Sequence, residues 1–297
     1  MPCWYPIPAW RTSERGITFR LSQGVVGGPL LSVPCGQCTG CRLDRSRDWA
    51  VRCMHESQLH NENSFLTLTF NREHLPASYS IDKLTHQHFL KRLRKRVLRP
   101  LRFFGCGEYG SEEGAFPLQP HYHYLIFGWR PSDLVHFKKS EFGDLYTSDT
   151  LKELWPFGFS TVGNVSYKSA AYCARYTQKK IGGNKADGHY LRLHPISGWV
   201  VRVVPERSWQ SLRPAIGSAW FDTFKSDIYP CDFCVVEGKR HPVPRYYIKK
   251  LAQEEHDALK KKRYAQSIKN RPDNTSGRLR VRELVQAAQL KPLKREL

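Results

Sequence analysis

The chain has 297 residues, enough for one large domain or two small ones with a hydrophobic core. Its 47 Lys and Arg against 27 Asp and Glu give a formal net charge of +20, which points to a polyanionic partner, nucleic acid first. The sequence has no apolar run of about 18 residues, which disfavours a membrane span, and no G-x-x-x-x-G-K-[ST] loop, so no P-loop helicase is encoded. Its first residues lack the features of a signal peptide, so we expect a cytosolic protein with reduced cysteines, some of them metal ligands.

The N-terminal segment, residues 1–60, contains a cysteine cluster. Three cysteines follow the spacing C-x2-C-x2-C, in which glycines allow tight bends: Cys35, Cys38 and Cys41. The fourth ligand would be Cys3 or Cys53. Because Cys53 falls at a core position of a helix predicted over residues 43–60, Cys3 is favoured. We expect structural zinc, since nothing nearby resembles a general base; the alternative is a turn of buried free thiols.

A strand predicted over residues 64–70 and a helix predicted over residues 81–98 follow. The stretch from 91 to 102 carries seven basic residues and no acid. We expect it to contact the phosphate backbone of DNA, which adds affinity without reading sequence, although a solvated helix face is the common alternative. The predicted DNA-binding residues are Lys91, Arg92, Arg94, Lys95 and Arg96, together with Arg175 on a later helix.

Residues 120–128 predict a short buried strand that ends at a glycine. Because side chains alternate across a strand, His121 and His123 would point to one face, roughly 6.5–7 Å apart along the chain. The opposite face would hold Tyr122, Tyr124 and Ile126. Two imidazoles at this spacing can bind one metal ion, and the alternative is a pair of ordinary strand histidines near an edge.

A further strand, predicted over residues 101–109, would pair with the histidine strand as an antiparallel hairpin. The hairpin can place Glu108 beside His121 and His123, and these three ligands would leave positions open for water and a substrate oxygen. Hard ligands and a phosphate substrate favour Mg²⁺ or Mn²⁺. The same set can describe a non-haem iron centre, but that interpretation does not explain the net charge of +20.

A helix predicted over residues 166–181 carries two tyrosines four residues apart, Tyr172 and Tyr176, whose phenols share one face. An aromatic core stripe is the alternative, but cations lie on the same turns, which is unusual for a dry face: Arg175, Lys179 and Lys180. Adjacent cations favour the phenolate, the form that can attack phosphorus.

The H-x-H strand followed by Y-x3-Y on a helix resembles the HUH endonucleases, and specifically the rolling-circle replication initiators of gokushovirus-type microviruses, small single-stranded DNA phages. The resemblance extends over nearly the whole chain, with Leu212 and Ala215 where the family more often has Arg and Gly. The matching stretches are, in order, Cys3, residues 35–41, 65–69, 106–110, 120–128, 154–155, 158–159, 172–180, 211–217 and 244–247.

The resemblance implies metal-dependent, site-specific nicking and rejoining of single-stranded DNA at a phage origin. A metal held by the two histidines and Glu108 would polarise the scissile phosphate. One tyrosine would form a 5′-phosphotyrosine and free a 3′-OH that primes a polymerase, and the second would cleave the regenerated origin. Lys179, or nearly equally Lys180, would be the cation assisting the nucleophile. The implied partners are origin DNA, host helicase and DNA polymerase, with no membrane, in the cytoplasm of a bacterial host.

The predicted fold class is α+β: a central antiparallel sheet of about five strands with packed helices, as in the HUH nuclease fold. The histidines would lie on a middle strand, with the tyrosine helix across the metal-bearing face and residues 199–204 as a candidate edge strand. Three regions are expected: a Cys-rich segment (1–60), a nuclease core (61–182) and a C-terminal basic region with a helical tail (183–297). A transposase of the same chemistry is the runner-up, and a non-enzymatic zinc-dependent DNA-binding protein is the alternative of another class.

Overall fold

A computed structural model describes residues 3–13, 16–25, 30–110, 118–176, 185–194, 197–229 and 231–290, apart from the side chains of Tyr176, Lys185 and Leu290. The strands in this part are β1 Ile7–Arg11, β2 Ile17–Thr18, β3 Leu31–Val33, β4 Asn63–Thr69, β5 Arg102–Tyr109, β6 Pro120–Phe127, β7 Val135–Ser140, β8 Gly143–Thr147, β9 Ser160–Gly163, β10 Leu191–Leu193, β11 Val200–Arg202, β12 Arg207–Gln210, β13 Phe233–Val236 and β14 Lys239–Pro242.

The α-helices of the same part are α1 Thr39–Ser57, α2 Lys83–Val97, α3 Asp149–Leu154, α4 Tyr167–Tyr176, α5 Lys185–Tyr190, α6 Ser218–Phe224, α7 Arg245–Lys249, α8 Gln253–Lys269 and α9 Ser276–Leu290. Short 3-10 helices cover Leu21–Gln23, Lys225–Asp227 and Arg271–Asn274. Among the described helices, none is both long enough and apolar enough to cross a membrane.

The chain divides into two compact units, which differ from the three predicted regions. The first unit comprises Met1–Arg45 and Ile248–Leu297, and the second comprises Ser46–Tyr247. The predicted borders at residues 60 and 182 do not coincide with this division. One physical reason is that β12 hydrogen-bonds to β5, so part of the predicted C-terminal region completes the main sheet.

The first unit contains the sheet β2-β1-β3 and the helices α8 and α9. Its strands are short, and its helices are largely exposed, with Leu259 and Leu279 as buried positions. The phenol of Tyr5 donates a hydrogen bond to the carboxylate of Glu283, which ties the N-terminal segment to α9.

The second unit is built on one antiparallel sheet with the strand order β12-β5-β6-β4-β9-β8-β7. The α+β class and the central antiparallel sheet are therefore confirmed, with seven strands instead of about five. The prediction of an edge strand over residues 199–204 is wrong, because β11 pairs with β10 in a separate hairpin and β12 forms that edge. The hairpin β7–β8, which was not among the predicted elements, extends the other edge.

Both faces of this sheet are buried, so β6 is buried along its whole length. One face packs against α2 and α3 around a core that includes Tyr122, Tyr124 and Ile126. The other face packs against α4 and the part of α1 from Ser46 onward. The alternation of β6 side chains thus places the histidines and the tyrosines of this strand on opposite faces, as its sequence predicts.

Small side chains let α4 lie close to the sheet. Ala170, Cys173 and Ala174 are fully buried in the core shared with β5 and β6. The helix begins at a reciprocal cap, in which the Ser166 amide donates to the Ser169 hydroxyl at 2.9 Å and the Ser169 amide donates to the Ser166 hydroxyl at 3.2 Å. Close packing and a fixed start together set the direction of the Tyr172 side chain.

Candidate active site

A carboxylate and two imidazoles meet on the α4 side of the sheet. In the β5–β6 pairing Glu108 lies directly opposite His121. Oε1 of Glu108 lies 2.6 Å from Nε2 of His121 and 2.8 Å from Nε2 of His123. All three residues are buried, with 1%, 7% and 3% of their surface exposed. The hairpin that the sequence predicts therefore brings these three residues together.

Hydrogen bonds on the far side of each ring orient the two imidazoles. Nδ1 of His121 lies 3.1 Å from the carbonyl oxygen of Gln119, which can only accept, so Nδ1 carries the proton. Nδ1 of His123 lies 3.0 Å from the hydroxyl oxygen of Thr67. Both Nε2 atoms consequently face Glu108, and this is the nitrogen that a metal would take from each ring.

Electrostatics keep the carboxylate ionised. Burial alone would raise the pKa of Glu108, but the charges and hydrogen bonds of His121 and His123 outweigh burial and lower this pKa to about 2. An ionised carboxylate is an acceptor only, and it is the form that coordinates a cation. The Glu108 carboxylate is therefore in its metal-binding form at neutral pH.

The donor set fits a divalent cation. The ligand atoms of Glu108, His121 and His123 all lie within 4.8 Å of one another, on two paired strands of a buried sheet. Two imidazole nitrogens and one carboxylate oxygen leave coordination positions for water or substrate, a pattern typical of catalytic sites. Rigid strands fix these donors more accurately than loops would.

Tyr172 completes the site from α4. Its hydroxyl donates a hydrogen bond to Oε1 of Glu108 at 3.2 Å, and its ring meets the His123 ring edge-on at a centroid distance of 5.0 Å. Tyr176 is the last residue of α4, one turn further on, and its side chain lies outside the described part. Arg175 lies in the same turn and is partly exposed. The predicted cations Lys179 and Lys180 also lie outside the described residues.

The cysteine cluster is assembled within the first unit. The sulfur atoms of Cys3, Cys35, Cys38 and Cys41 all lie within 4.8 Å of one another. Backbone amides donate to these sulfurs, for example Cys35 N to Cys3 Sγ at 3.2 Å and Cys38 N to Cys35 Sγ at 3.3 Å. Cys53, the other candidate, is fully buried in the core of the second unit.

The structure does not bring the basic run of α2 to this site. α2 packs on the face of the sheet that carries Tyr122 and Tyr124, opposite the histidines. Arg92 donates to the carbonyl oxygen of Leu154 at 3.0 Å and thus holds the end of α3. The other predicted contacts there are exposed: Lys91, Arg94, Lys95 and Arg96.

Two positioning residues, Thr67 and Gln119, were not singled out from the sequence. Thr67 could have been found, because Thr67 and Thr69 alternate with apolar residues along β4 and so mark its polar face. Gln119 acts through its backbone carbonyl, which carries no sequence signal.

Comparison with known proteins places the chain in a family. The sequence model described as replication-associated protein ORF2/G2P matches residues 63–181, which run from β4 beyond the end of α4. The chain is 33% identical over 258 residues to the replication-associated protein VP4 of Bdellovibrio phage phiMH2K, covering 83% of this chain and 76% of that protein. It is also 33% identical over 261 residues to the replication-associated protein ORF2 of Spiroplasma virus 4, covering 83% and 75%.

A third relative is the replication-associated protein ORF4 of Chlamydia phage 1, at 30% identity over 239 residues, covering 75% of this chain and 55% of that protein. No solved structure matches the chain. These relatives are phage replication proteins, and they define the class of this chain. Within it, the chain belongs to the microvirus replication-associated proteins, the rolling-circle initiators, and the resemblance seen in the sequence is confirmed.

Proposed function

We propose that this protein initiates rolling-circle replication by nicking and rejoining single-stranded DNA at a phage origin through a 5′-phosphotyrosine. The observation that carries the proposal is the hydrogen bond of the Tyr172 hydroxyl to the carboxylate that both His121 and His123 face. The candidate nucleophile Tyr172 and three candidate metal ligands thus lie together in one buried site. The family of replication-associated proteins supports the same role.

Mg²⁺ or Mn²⁺ is the proposed cation, held by Glu108, His121 and His123. When bound, it would supply Lewis-acid stabilisation of the negative charge on the phosphate and on the departing 3′ oxygen. A tyrosine oxygen attacks phosphorus, the bond from phosphorus to the 3′ oxygen breaks, the phenol loses its proton and the 3′ oxygen gains one. The products are a 5′-phosphotyrosine and a free 3′-OH. Because one phosphodiester replaces another, rejoining needs no ATP.

The spacing of Tyr172 and Tyr176 suits a cycle with two cleavages. The two residues are one helical turn apart, so both can reach one metal. After one circuit the second tyrosine would cleave the regenerated origin, and the released 3′-OH would attack the first phosphotyrosine to close a circle. Lys179 or Lys180 would supply the cation that favours the phenolate.

The net charge of +20 supports a nucleic-acid substrate. Arg175, on the helix of the nucleophiles, would contact the strand at the site. The exposed cations of α2 would contact DNA on the other face of the sheet, away from the cleaved phosphate. The free 3′-OH calls for a host DNA polymerase, and unwinding calls for a host helicase because the sequence has no P-loop. With these partners, the activity would take place in the bacterial cytoplasm.

Zinc is the proposed ligand of Cys3, Cys35, Cys38 and Cys41. Four thiolates make a closed tetrahedral site with no position for a substrate, so its role would be structural. Amide donors to the sulfurs, as at Cys3 and Cys35, stabilise thiolate charge.

The test is incubation of the protein with labelled single-stranded DNA from the encoding genome and Mn²⁺ or Mg²⁺, followed by a denaturing gel. We expect a metal-dependent protein–DNA band that survives boiling. Tyr172→Phe with Tyr176→Phe should abolish the band while DNA binding persists. Tyr167→Phe, the same change at the start of the same helix, is the matched control and should leave the band intact.

Two results would contradict the proposal. An adduct in the double phenylalanine variant would place the nucleophile elsewhere. DNA binding without cleavage under either metal would favour the non-enzymatic zinc-dependent DNA-binding protein, with structural histidines.

A further inference from the structure

Two exposed phenylalanines lie toward the β7 edge of the main sheet: Phe137 on β7, and Phe159 immediately before β9. Phe137 is 46% exposed and Phe159 is 50% exposed, and their ring centroids lie 5.2 Å apart. An aromatic ring left in water forgoes the free energy that burial provides, so a paired exposure of this kind marks a surface for a ligand.

Phe159 lies in the same row of the sheet as His121. Thr69 pairs with His121 across β4 and β6. The Thr69 amide and hydroxyl both donate to the carbonyl oxygen of Phe159, at 2.9 and 2.8 Å. Two strand spacings separate β6 from β9, so Phe159 lies about 10 Å from the histidine strand. A nucleotide next to a phosphate held at the metal centre can reach it.

Phe159 directly precedes β9, and extending the alternation of that strand by one residue would direct its side chain to the side of the histidines. Val162 packs in the core on the opposite face, so alternation within β9 directs Thr161 to the metal-bearing face. Consistent with this, Thr161 pairs with Thr67, whose hydroxyl contacts His123.

The backbone holds Phe159 in place. A Cβ atom at Gly158 would lie 2.4 Å from the Thr69 carbonyl oxygen and 2.5 Å from the Asn71 amide nitrogen, so only glycine allows this close approach. The Asn71 amide donates to the carbonyl oxygen of Phe157 at 2.9 Å. Because its backbone is fixed in this way, only the side-chain torsions of Phe159 remain to be ordered when a ligand stacks on the ring.

A β-bulge directs Phe137 toward Phe159. In the β7–β8 pairing the register shifts between His136 and Lys138, which makes Phe137 the extra residue. Bulges re-aim side chains and are common beside active sites. Nζ of Lys138 lies 5.7 Å from the centroid of the Phe137 ring, which adds a cation beside the aromatic surface. Aromatic rings with a neighbouring cation are the chemistry that binds single-stranded nucleic acid.

We infer that Phe137 and Phe159 form a stacking platform for one or two nucleobases next to the cleaved phosphate of single-stranded DNA. The inference rests on the proposed function for the identity of its ligand. Stacking on aromatic rings tolerates any base, so the platform would orient the strand over the metal centre without reading its sequence.

The first test is the affinity of the full chain for a labelled single-stranded oligonucleotide from the encoding genome, without added Mg²⁺ or Mn²⁺. Loss of one stacked base corresponds to roughly a fivefold to hundredfold loss of affinity. We expect Phe137→Ala and Phe159→Ala each to raise Kd at least about fivefold. Phe19→Ala removes a phenylalanine of the first unit that is 58% exposed and should leave Kd unchanged. An unchanged Kd in the variant that carries both Phe137→Ala and Phe159→Ala would overturn the stacking platform.

Phe159→Leu keeps apolar volume and removes the aromatic face, so it serves if an alanine variant does not fold. It should bind as weakly as Phe159→Ala, and wild-type affinity would overturn aromatic stacking. Photocrosslinking with 5-iodouracil at each position of the oligonucleotide gives the register. Crosslinks should map to Phe137 or Phe159 from the bases that flank the phosphotyrosine linkage, and crosslinks confined to other residues overturn the assignment.

Adduct formation by the wild-type protein with Mn²⁺ separates this inference from the proposed function. If the wild type forms the adduct and the platform variants bind normally, the platform alone fails. If the wild type forms no adduct and the variants bind more weakly, nicking fails and the platform stands as a DNA-binding surface.

Discussion

The two candidate metal centres of this chain are built in different ways. Glu108, His121 and His123 lie on paired strands of a buried sheet, and their positions follow from strand register. The cysteine cluster gathers its sulfurs from residues 3 and 35–41, mostly outside regular structure. The first centre has three mixed ligands and open positions, whereas the second has four sulfurs and none.

This difference in construction indicates a different role for each centre. Ligands on paired strands are held in position without a metal. The centre can therefore keep coordination positions open for a substrate. Ligands on turns depend on the metal to hold them, and metal binding then contributes to folding itself. The first arrangement suits catalysis and the second suits structure, and each can be tested separately.

The largest expected effect is on cleavage. Glu108→Gln keeps the shape of the side chain but removes the charge that would attract the cation. Metal stabilisation of a phosphate transition state amounts to several kcal/mol, so the nicking rate should fall about a thousandfold. Single-turnover adduct formation with Mn²⁺ measures this rate, and zinc content should stay at the wild-type value. A variant that still nicks within about tenfold of wild type would remove Glu108 from the centre.

Cys38→Ser should lower the zinc content, which Glu108→Gln leaves unchanged. Loss of one thiolate should release zinc and loosen the first unit, because structural zinc contributes about 10–16 kcal/mol of apparent binding free energy in small zinc domains. Elemental analysis by mass spectrometry should find one zinc per wild-type chain and almost none in the variant. Cys231→Ser changes an exposed cysteine outside the cluster and should retain the zinc. Equal zinc in both variants would exclude the cluster as the binding site.

Thr67→Val tests the orientation of a ligand without removing it. The hydroxyl that contacts Nδ1 of His123 is lost, and loss of such a contact weakens metal binding by about 10–100-fold. The Mn²⁺ concentration that gives half-maximal nicking should rise by this factor, and excess Mn²⁺ should restore the rate. Thr161→Val, the same change at the residue paired with Thr67, should leave the Mn²⁺ requirement unchanged. A rate defect that excess metal does not correct would assign Thr67 another role.

The weakest effect is expected on the stability of the fold, and it involves neither candidate metal centre. Burial lowers the pKa of His55 to about 3 and that of His86 to about 4, with neighbouring positive charges adding to the shift. In the unfolded chain these histidines take up protons near pH 6.5, so the unfolded state binds more protons between pH 6.5 and 4. The free energy of unfolding should therefore fall as pH drops through this range, by at most about 1.4 kcal/mol per histidine and pH unit.

Urea unfolding between pH 7 and pH 5 measures this slope, above the range in which Glu108 would contribute. His86→Gln should reduce the slope, and His88→Gln, an exposed neighbour on α2, should not. A slope that His86→Gln leaves unchanged would assign the acid sensitivity to other groups.

Much of the candidate site could be predicted from local sequence. Period-two alternation places His121 and His123 on one face, and it is a property of any strand. The position of Glu108 followed from the pairing of two consecutive strands as an antiparallel hairpin. Helical spacing predicts that Tyr172 and Tyr176 share a face, and the structure brings Tyr172 to the carboxylate.

What the sequence alone determined is local: the strand and helix periods, the cysteine spacing, the charge and the family resemblance. Tertiary structure decided the rest, because it depends on contacts between distant residues. It brings Cys3, and not Cys53, close to the other three cysteines. It also places β12 at the sheet edge and the basic helix α2 on the face opposite the histidines. It also joined Phe137 and Phe159, since packing across strands has no signal within either segment.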